Sequence, residues 1–260
     1  MTRQLPAGTC IRHAVNSVRN NIAYAFRISW PWYAVLVPLS FAMFGLAGLF
    51  ALGTSSMSPF FLAFLVLALV SLVAFASIAV NWHRYILLDE MPKGREVFRI
   101  DDKTWRYFGN LLLILLILVG ACLLVMLPLS ILAASTNAAE FSVVLIALII
   151  LPIAGILSLR LSVKLPAIAL GRRDFLLKDA WSSTQANILP LFFIALFQIV
   201  FFLGFVLFML LLQYTIGTAS PALWDIVGTV LQTAVNWIFT IFGITILTSL
   251  YGFFVENRDF

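Results

Sequence analysis

The sequence predicts an all-α, polytopic membrane protein. It should have six transmembrane helices in three hairpins, each preceded by an amphipathic helix on the cytoplasmic interface. Three observations lead there. Of 260 residues, 63% are apolar and only 10% charged, against roughly 25% charged residues in soluble domains. The apolar residues gather in runs of about twenty, the length that crosses a hydrocarbon core of roughly 30 Å. The sixteen Lys and Arg are confined to the N-terminal segment, the connections 82–110 and 160–187, and Arg258. Short loops rich in Lys and Arg stay cytoplasmic. Both termini are therefore expected there, with three short outer turns, around Ser56, Thr136 and Ser220, that hold neither residue.

The first thirty residues carry an amphipathic pattern. Ile11, Val15, Val18, Ile22 and Phe26 recur at intervals of four, three, four and four, one helical face. Arg12, His13 and Arg19 lie off that stripe, so the helix suits a headgroup layer, apolar face down. The first span, 30–52, follows four arginines but is too long for a signal peptide's apolar region. Trp30, Trp32 and Tyr33 mark its interface. Gly45 and Gly48 within it would let a neighbouring helix approach closely. The remaining spans are expected at about 60–81, 111–133, 141–159, 188–212 and 226–254.

Two connections share a frame. Gly94–Asn110 (GREVFRIDDKTWRYFGN) aligns without a gap on Gly171–Asn187 (GRRDFLLKDAWSSTQAN). The coincidences are Gly94/Gly171, Arg95/Arg172, Phe98/Phe175, Asp102/Asp179 and Asn110/Asn187. Asn21 holds the comparable place before the first span, which suggests approximate repeats over 1–90, 91–167 and 168–260. In the first copy, Asp101 or Asp102 can cap a helix, with Trp105 and Phe108 toward the bilayer and Lys103 and Arg106 reaching headgroups.

The chain contains four features that can carry function. Arg160 and Lys164, one turn apart, lead to Arg172 and Arg173 and make the most basic corner. An anionic-lipid or acidic-partner site and plain snorkelling to the interface both explain the first pair. In the sixth span Asp225, Thr229, Gln232, Asn236, Thr240 and Gly243 fall on one face, expected to point into the bundle. That face can line a polar path or serve as interhelical hydrogen-bonding glue. His83, beside Arg84, reads as an interfacial ring or a proton sensor. Asp89 and Glu90 are adjacent, do not face one another on a helix, and read as solvated loop charge.

Other chemistry is missing. No phosphate-binding loop, nucleophile elbow or metal-ligand cluster occurs, so no cofactor, metal or catalytic set is expected. Cys10 and Cys122 have no disulfide or metal spacing. The pI near 9.5 follows from the topology signal and attraction to anionic headgroups, so no nucleic-acid partner is expected.

The two motif copies, with Arg160–Asn187 and Asn81–Pro92 (NWHRYILLDEMP), resemble a broad bacterial group of six-helix inner-membrane proteins. The group includes YciC-like proteins and the membrane domain of some glycerophosphodiester phosphodiesterases. In the phosphodiesterases the catalytic residues lie in a separate soluble domain, so the resemblance implies a membrane module with no functional residues to transfer. The expected role is a non-enzymatic inner-membrane scaffold or accessory subunit. It would contact membrane lipids and have a protein partner or form a homo-oligomer. The alternative is a small transporter or channel using the polar face of the sixth span.

Overall fold

A computed structural model describes residues 3–54, 57–134 and 139–260, without side chains at 53–54, 95, 132–134 and 139–149. The outer turns expected around Ser56 and at Ser135-Thr136-Asn137 lie outside the described residues. Among those described there is no strand, and six helical segments are long and apolar enough to cross a membrane.

The elements are α1 (Ala7–Asn20), α2 (Ile22–Thr54), α3 (Ser58–Leu88), α4 (Asp102–Ala134), α5 (Ala139–Ser162), α6 (Lys164–Ala169), α7 (Leu177–Ser183), α8 (Ile188–Leu212) and α9 (Pro221–Phe254). Local chemistry sets several of their ends. Pro59 and Pro221 sit in first turns, where a missing N–H costs nothing. Ser220 Oγ accepts the Leu223 N–H to start α9. Asp101, rather than Asp102, caps α4, its Oδ1 accepting the Thr104 N–H at 3.0 Å. α3 stops where Asp89 turns left-handed at φ +54°, a region that Asp tolerates better than most residues.

α1 is shorter than the sequence pattern. It ends at Asn20, so Ile22 and Phe26 of the apolar stripe belong to α2. It buries Cys10 and Ala14 against α9 and leaves Val15 exposed.

α2 packs along α3, α4 along α5, and α5 also against α8, while α9 rests on α1 and α3. The α5–α8 crossing is tight at Gly155, where a Cβ would lie 2.9 Å from Ala195 Cβ. Gly45 and Gly48, expected to make such a contact, face open space. α8 meets α9 through phenylalanines, with Phe201 and Phe202 at 5.0 and 5.9 Å from Phe239.

Packing is concentrated at one end, the end holding residues 3–30, 82–110, 160–187 and 254–260, called here the basic end. Trp82, Tyr107, Tyr251, Leu165 and Ile168 are fully buried there. Toward the other end apolar side chains stand free, with Leu52 85% and Leu124 77% exposed. Hydrocarbon accepts such surfaces without cost, because lipid tails are as apolar as leucine.

The two motif copies correspond in backbone and in contacts. Gly94 and Gly171 are both left-handed, at φ +57° and +87°, where a side chain would be strained. The preceding helix donates one polar side chain to the following one in each copy. His83 Nε2 lies 3.3 Å from Tyr107 Oη, and Arg160 Nε donates to Thr184 Oγ1 at 3.1 Å. Both members of the second pair sit seventy-seven residues after those of the first, the offset of the alignment itself.

Candidate functional site

The site grows from the left-handed turn at Gly171. That turn follows α6, whose carbonyls at Ile168 and Ala167 accept the N–H groups of Gly171 and Arg172 at 2.9 and 3.0 Å. The reversal carries Arg172 and Arg173 back across the start of α4. Lys103 comes within 4.0 Å of the place where a Gly171 Cβ would stand. Arg106 Nη2 approaches the Arg172 carbonyl at 3.5 Å. α6 packs on α4, and Arg106 is the charged neighbour of Lys164. Five cations therefore share one corner: Lys103 and Arg106 of the first motif copy, Arg172 and Arg173 of the second, and Lys164 of α6.

Three of them have carboxylate partners. Arg172 pairs with Asp174 at 3.2 Å and also donates to Tyr251 Oη at 3.2 Å. Those contacts push its guanidinium up, Asp174 first, and hold the Asp174 carboxyl below its ordinary range. Arg173 lies 3.7 Å from Asp102, and Lys103 lies 3.8 Å from Asp101. Among the described residues, Arg106 and Lys164 have no carboxylate partner. Two adjacent cations without a counter-ion attract an anion, and guanidinium with ammonium is the pair suited to phosphate oxygens.

Of the expected quartet, the structure brings together Lys164, Arg172 and Arg173 and directs Arg160 elsewhere. Arg160 is 5% exposed. It fills the break between α7 and α8, with Nη2 donating to the Trp181 carbonyl at 2.9 Å and its guanidinium 3.5 Å over the Trp181 ring. The Trp181 carbonyl belongs to the last turn of α7, where carbonyls lack helical partners. Arg160 thus satisfies a helix end instead of reaching outward. Lys103 and Arg106 take its place in the cluster. Their charge was legible in the sequence, but not that α4 begins beside the Gly171 turn.

The polar residues of α9 run along a face with Tyr33 of α2 on one side and Phe239, which meets α8, on the other. Asp225, Thr229, Gln232 and Asn236 are exposed and Thr240 half-buried. Burial on this helix falls instead on Ile241, Ile244, Thr245 and Thr248. Tyr33 Oη donates to Asn236 Oδ1 at 2.9 Å and also bonds Thr240, and Trp237 Nε1 donates to Ser29 Oγ at 2.6 Å, so α2 contacts this stretch of α9.

Two further sequence readings are corrected. His83 is not among headgroups: it is 0% exposed, between Thr248 Oγ1 at 2.8 Å and Tyr107 Oη. Thr248 Oγ1 donates to the Ile244 carbonyl, so it accepts from His83 Nδ1–H and leaves Nε2 to accept from Tyr107. His13 meets the adjacent α9 hydroxyl, Ser249, at 3.1 Å, and burial lowers its pKa. Glu90 is not plain loop charge. Arg84 grips it in two-point fashion, Arg99 Nη2 donates to Oε1 at 2.8 Å, and these guanidiniums, Arg84 first, hold the carboxyl down at about 2 against the opposing effect of burial. Cys10 is fully buried, which pushes its thiol up to about 12.

No group of His, Cys, Asp and Glu among the described residues is arranged to hold a metal. Compared with known proteins, the chain matches no family model, no curated protein and no solved structure.

Proposed function

We propose that this protein is a non-enzymatic scaffold or accessory subunit of the bacterial cytoplasmic membrane, with both termini cytoplasmic. It holds an anionic lipid headgroup at the Arg106–Lys164 corner. The observation that carries the reading is the pairing of two cations, Arg106 of the first motif copy and Lys164 of α6 just before the second, without a carboxylate partner. Its position supports a lipid ligand, because the corner lies where α4 and α6 leave the apolar segments. Headgroup phosphates occupy that depth, and each Lys or Arg near an anionic surface contributes about 1 kcal/mol.

A transport path along α9 draws less support. Two of its polar residues, Asn236 and Thr240, bond to Tyr33 of α2, as packing side chains do, and no ionisable group stands at mid-depth among them.

The test is purification in mild detergent followed by native mass spectrometry. The wild-type chain should retain an anionic phospholipid. Arg106→Gln with Lys164→Gln should lower its occupancy by about 2 kcal/mol, roughly thirtyfold. Equal retention by both proteins would overturn the reading, and so would binding of neutral and anionic lipids alike.

A further inference from the structure

We infer that the groove between α2 and α9 is a binding site for the hydrocarbon chains of one membrane lipid, held without contact to its headgroup. The inference rests on both helices crossing the bilayer and is independent of the anion site. α2 packs along α3 while α9 rests on α1 and α3, so α2 and α9 meet chiefly through side chains. Trp237 Nε1 donates to Ser29 Oγ, Phe26 sets its ring edge-on to Trp237 at 6.3 Å, and Tyr33 Oη reaches Asn236. Beside these bridges lies a groove of about 530 Å³, walled by Trp30 and Val37 of α2 and by Val230, Ala234 and Trp237 of α9.

Charge, width and depth together select the occupant. Among the described residues no charged side chain lines the groove. The four hydroxyls on its walls are already engaged. Ser29 donates to the Ala25 carbonyl, Tyr33 to Asn236, Thr229 to the Asp225 carbonyl and Thr233 to the Thr229 carbonyl. A polar ligand would give up its own hydrogen bonds there and gain none, so the walls are complementary to an uncharged, apolar one. Ser29 to Val37 and Thr229 to Trp237 are each eight residue steps, ~12 Å of helix. A volume of 530 Å³ over that length leaves a mean cross-section of about 44 Å², about half of what a helix 10–12 Å across would fill. A transmembrane helix of a partner is therefore too wide. Hydrocarbon chains, whose carbons meet their neighbours at about 4 Å, fit side by side. A length of ~12 Å also falls within one leaflet of a hydrocarbon core roughly 30 Å thick. Space left empty between such walls would forfeit dispersion contacts on both sides, and chains of the surrounding lipid recover them.

A detergent tail can replace the chains in a micelle, so the test is made in a bilayer. It uses the full chain in phosphatidylcholine liposomes, where a fraction of the lipid carries a photoactivatable diazirine halfway along one acyl chain. After illumination, peptide mass spectrometry should find attachment concentrated on Val37, Val230 and Ala234. It should exceed that at Leu124 of α4, which is more exposed than Val230. The excess should be about tenfold, the equivalent of roughly ten added atom contacts. Val37→Trp and, separately, Ala234→Trp fill the groove from opposite walls, and each should lower its labelling to the Leu124 level. The Leu124 label itself should stay unchanged in both, showing that the helices still insert. Moving the diazirine to phosphatidylglycerol should give the same pattern, because the headgroup is not held. Labelling no greater than at Leu124, labelling that requires the anionic headgroup, or undiminished labelling in both tryptophan variants would each overturn the inference. So would groove labelling that disappears as the chain is crowded in the liposome, the sign of a second copy covering it.

Discussion

The two motif copies begin alike and end differently. Each opens on a left-handed glycine, and each is reached by a polar side chain from the preceding helix. After the first, α4 runs unbroken from Asp102 to Ala134. After the second, α7 stops at Ser183, a single 3₁₀ turn covers Gln185–Asn187, and α8 starts at Ile188. The incoming side chain marks the difference. His83 meets its target helix at one residue, Tyr107, through the hydroxyl and the ring, which an unbroken helix can present. Arg160 brings several donors and occupies both the Thr184 hydroxyl and the Trp181 carbonyl. An arginine that bonds a backbone carbonyl stabilises a helix end, and the chain ends a helix there.

The asparagines closing each copy follow the same division. Asn110 Nδ2 donates to the carbonyl four residues back, Arg106, at 2.8 Å, as Asn21 does to Ser17. Asn187, after the break, is buried and bonds to the N-terminal segment instead of its own helix. Its Oδ1 accepts the Leu5 N–H at 2.6 Å, and its Nδ2 donates to the Arg3 carbonyl at 3.1 Å. The break thus gives the second copy a long-range contact that the first lacks.

The largest expected effect separates the copies. Arg160→Leu removes two charge-assisted hydrogen bonds and a ring contact, which should destabilise the fold by about 3 kcal/mol in denaturant unfolding from detergent. His83→Leu should cost less, about 1 kcal/mol, since its two bonds are neutral and the helix below does not depend on them. Equal losses would dissolve the distinction. Next come the glycines, through strain alone, since neither has an atom closer than 4.0 Å to a new Cβ. Gly171→Ala, at φ +87°, and Gly94→Ala, at φ +57°, should each lower stability by about 1–2 kcal/mol. Only the first should also weaken anion binding, because it carries Arg172 and Arg173; a loss in Gly94→Ala would place the site elsewhere.

The smallest effect depends on pH. Glu90 links Arg84, in the helix ending the first repeat, to Arg99, in the next motif. Its folded pKa is depressed from 4.5 to about 2. A lowered acid contributes stability that is present above 4.5 and lost as pH falls through 2. Glu90→Gln should therefore flatten the acid limb of a stability–pH curve between those values. Its carboxylate is partly exposed, so solvent screening keeps the effect modest. An unchanged acid limb would show that the network is not coupled to folding.

Much of this architecture was legible because lipid imposes strict demands. A span needs about twenty apolar residues, and the runs that become α3, α8 and α9 satisfy that without reference to one another. Gly94 and Gly171 aligned in sequence because both turns require the same positive φ. What the chain hid depends on which helix lies beside which. Nothing near Arg160 says that Trp181 and Thr184 will receive it. The polar period of α9 fixes one face, but its direction follows from where α2, α3 and α8 pack. Arg106 and Lys164 are fifty-eight residues apart, and only the α4–α6 contact brings them together.

The central claim is that the corner where the copies meet binds an anionic headgroup. The most direct measurement is occupancy by an anionic phospholipid, titrated into neutral-lipid nanodiscs holding the chain. Wild type should saturate at one high-affinity lipid, inorganic phosphate should not displace it, and Arg106→Gln with Lys164→Gln should shift the curve roughly thirtyfold. Superimposable curves for the two proteins would contradict it.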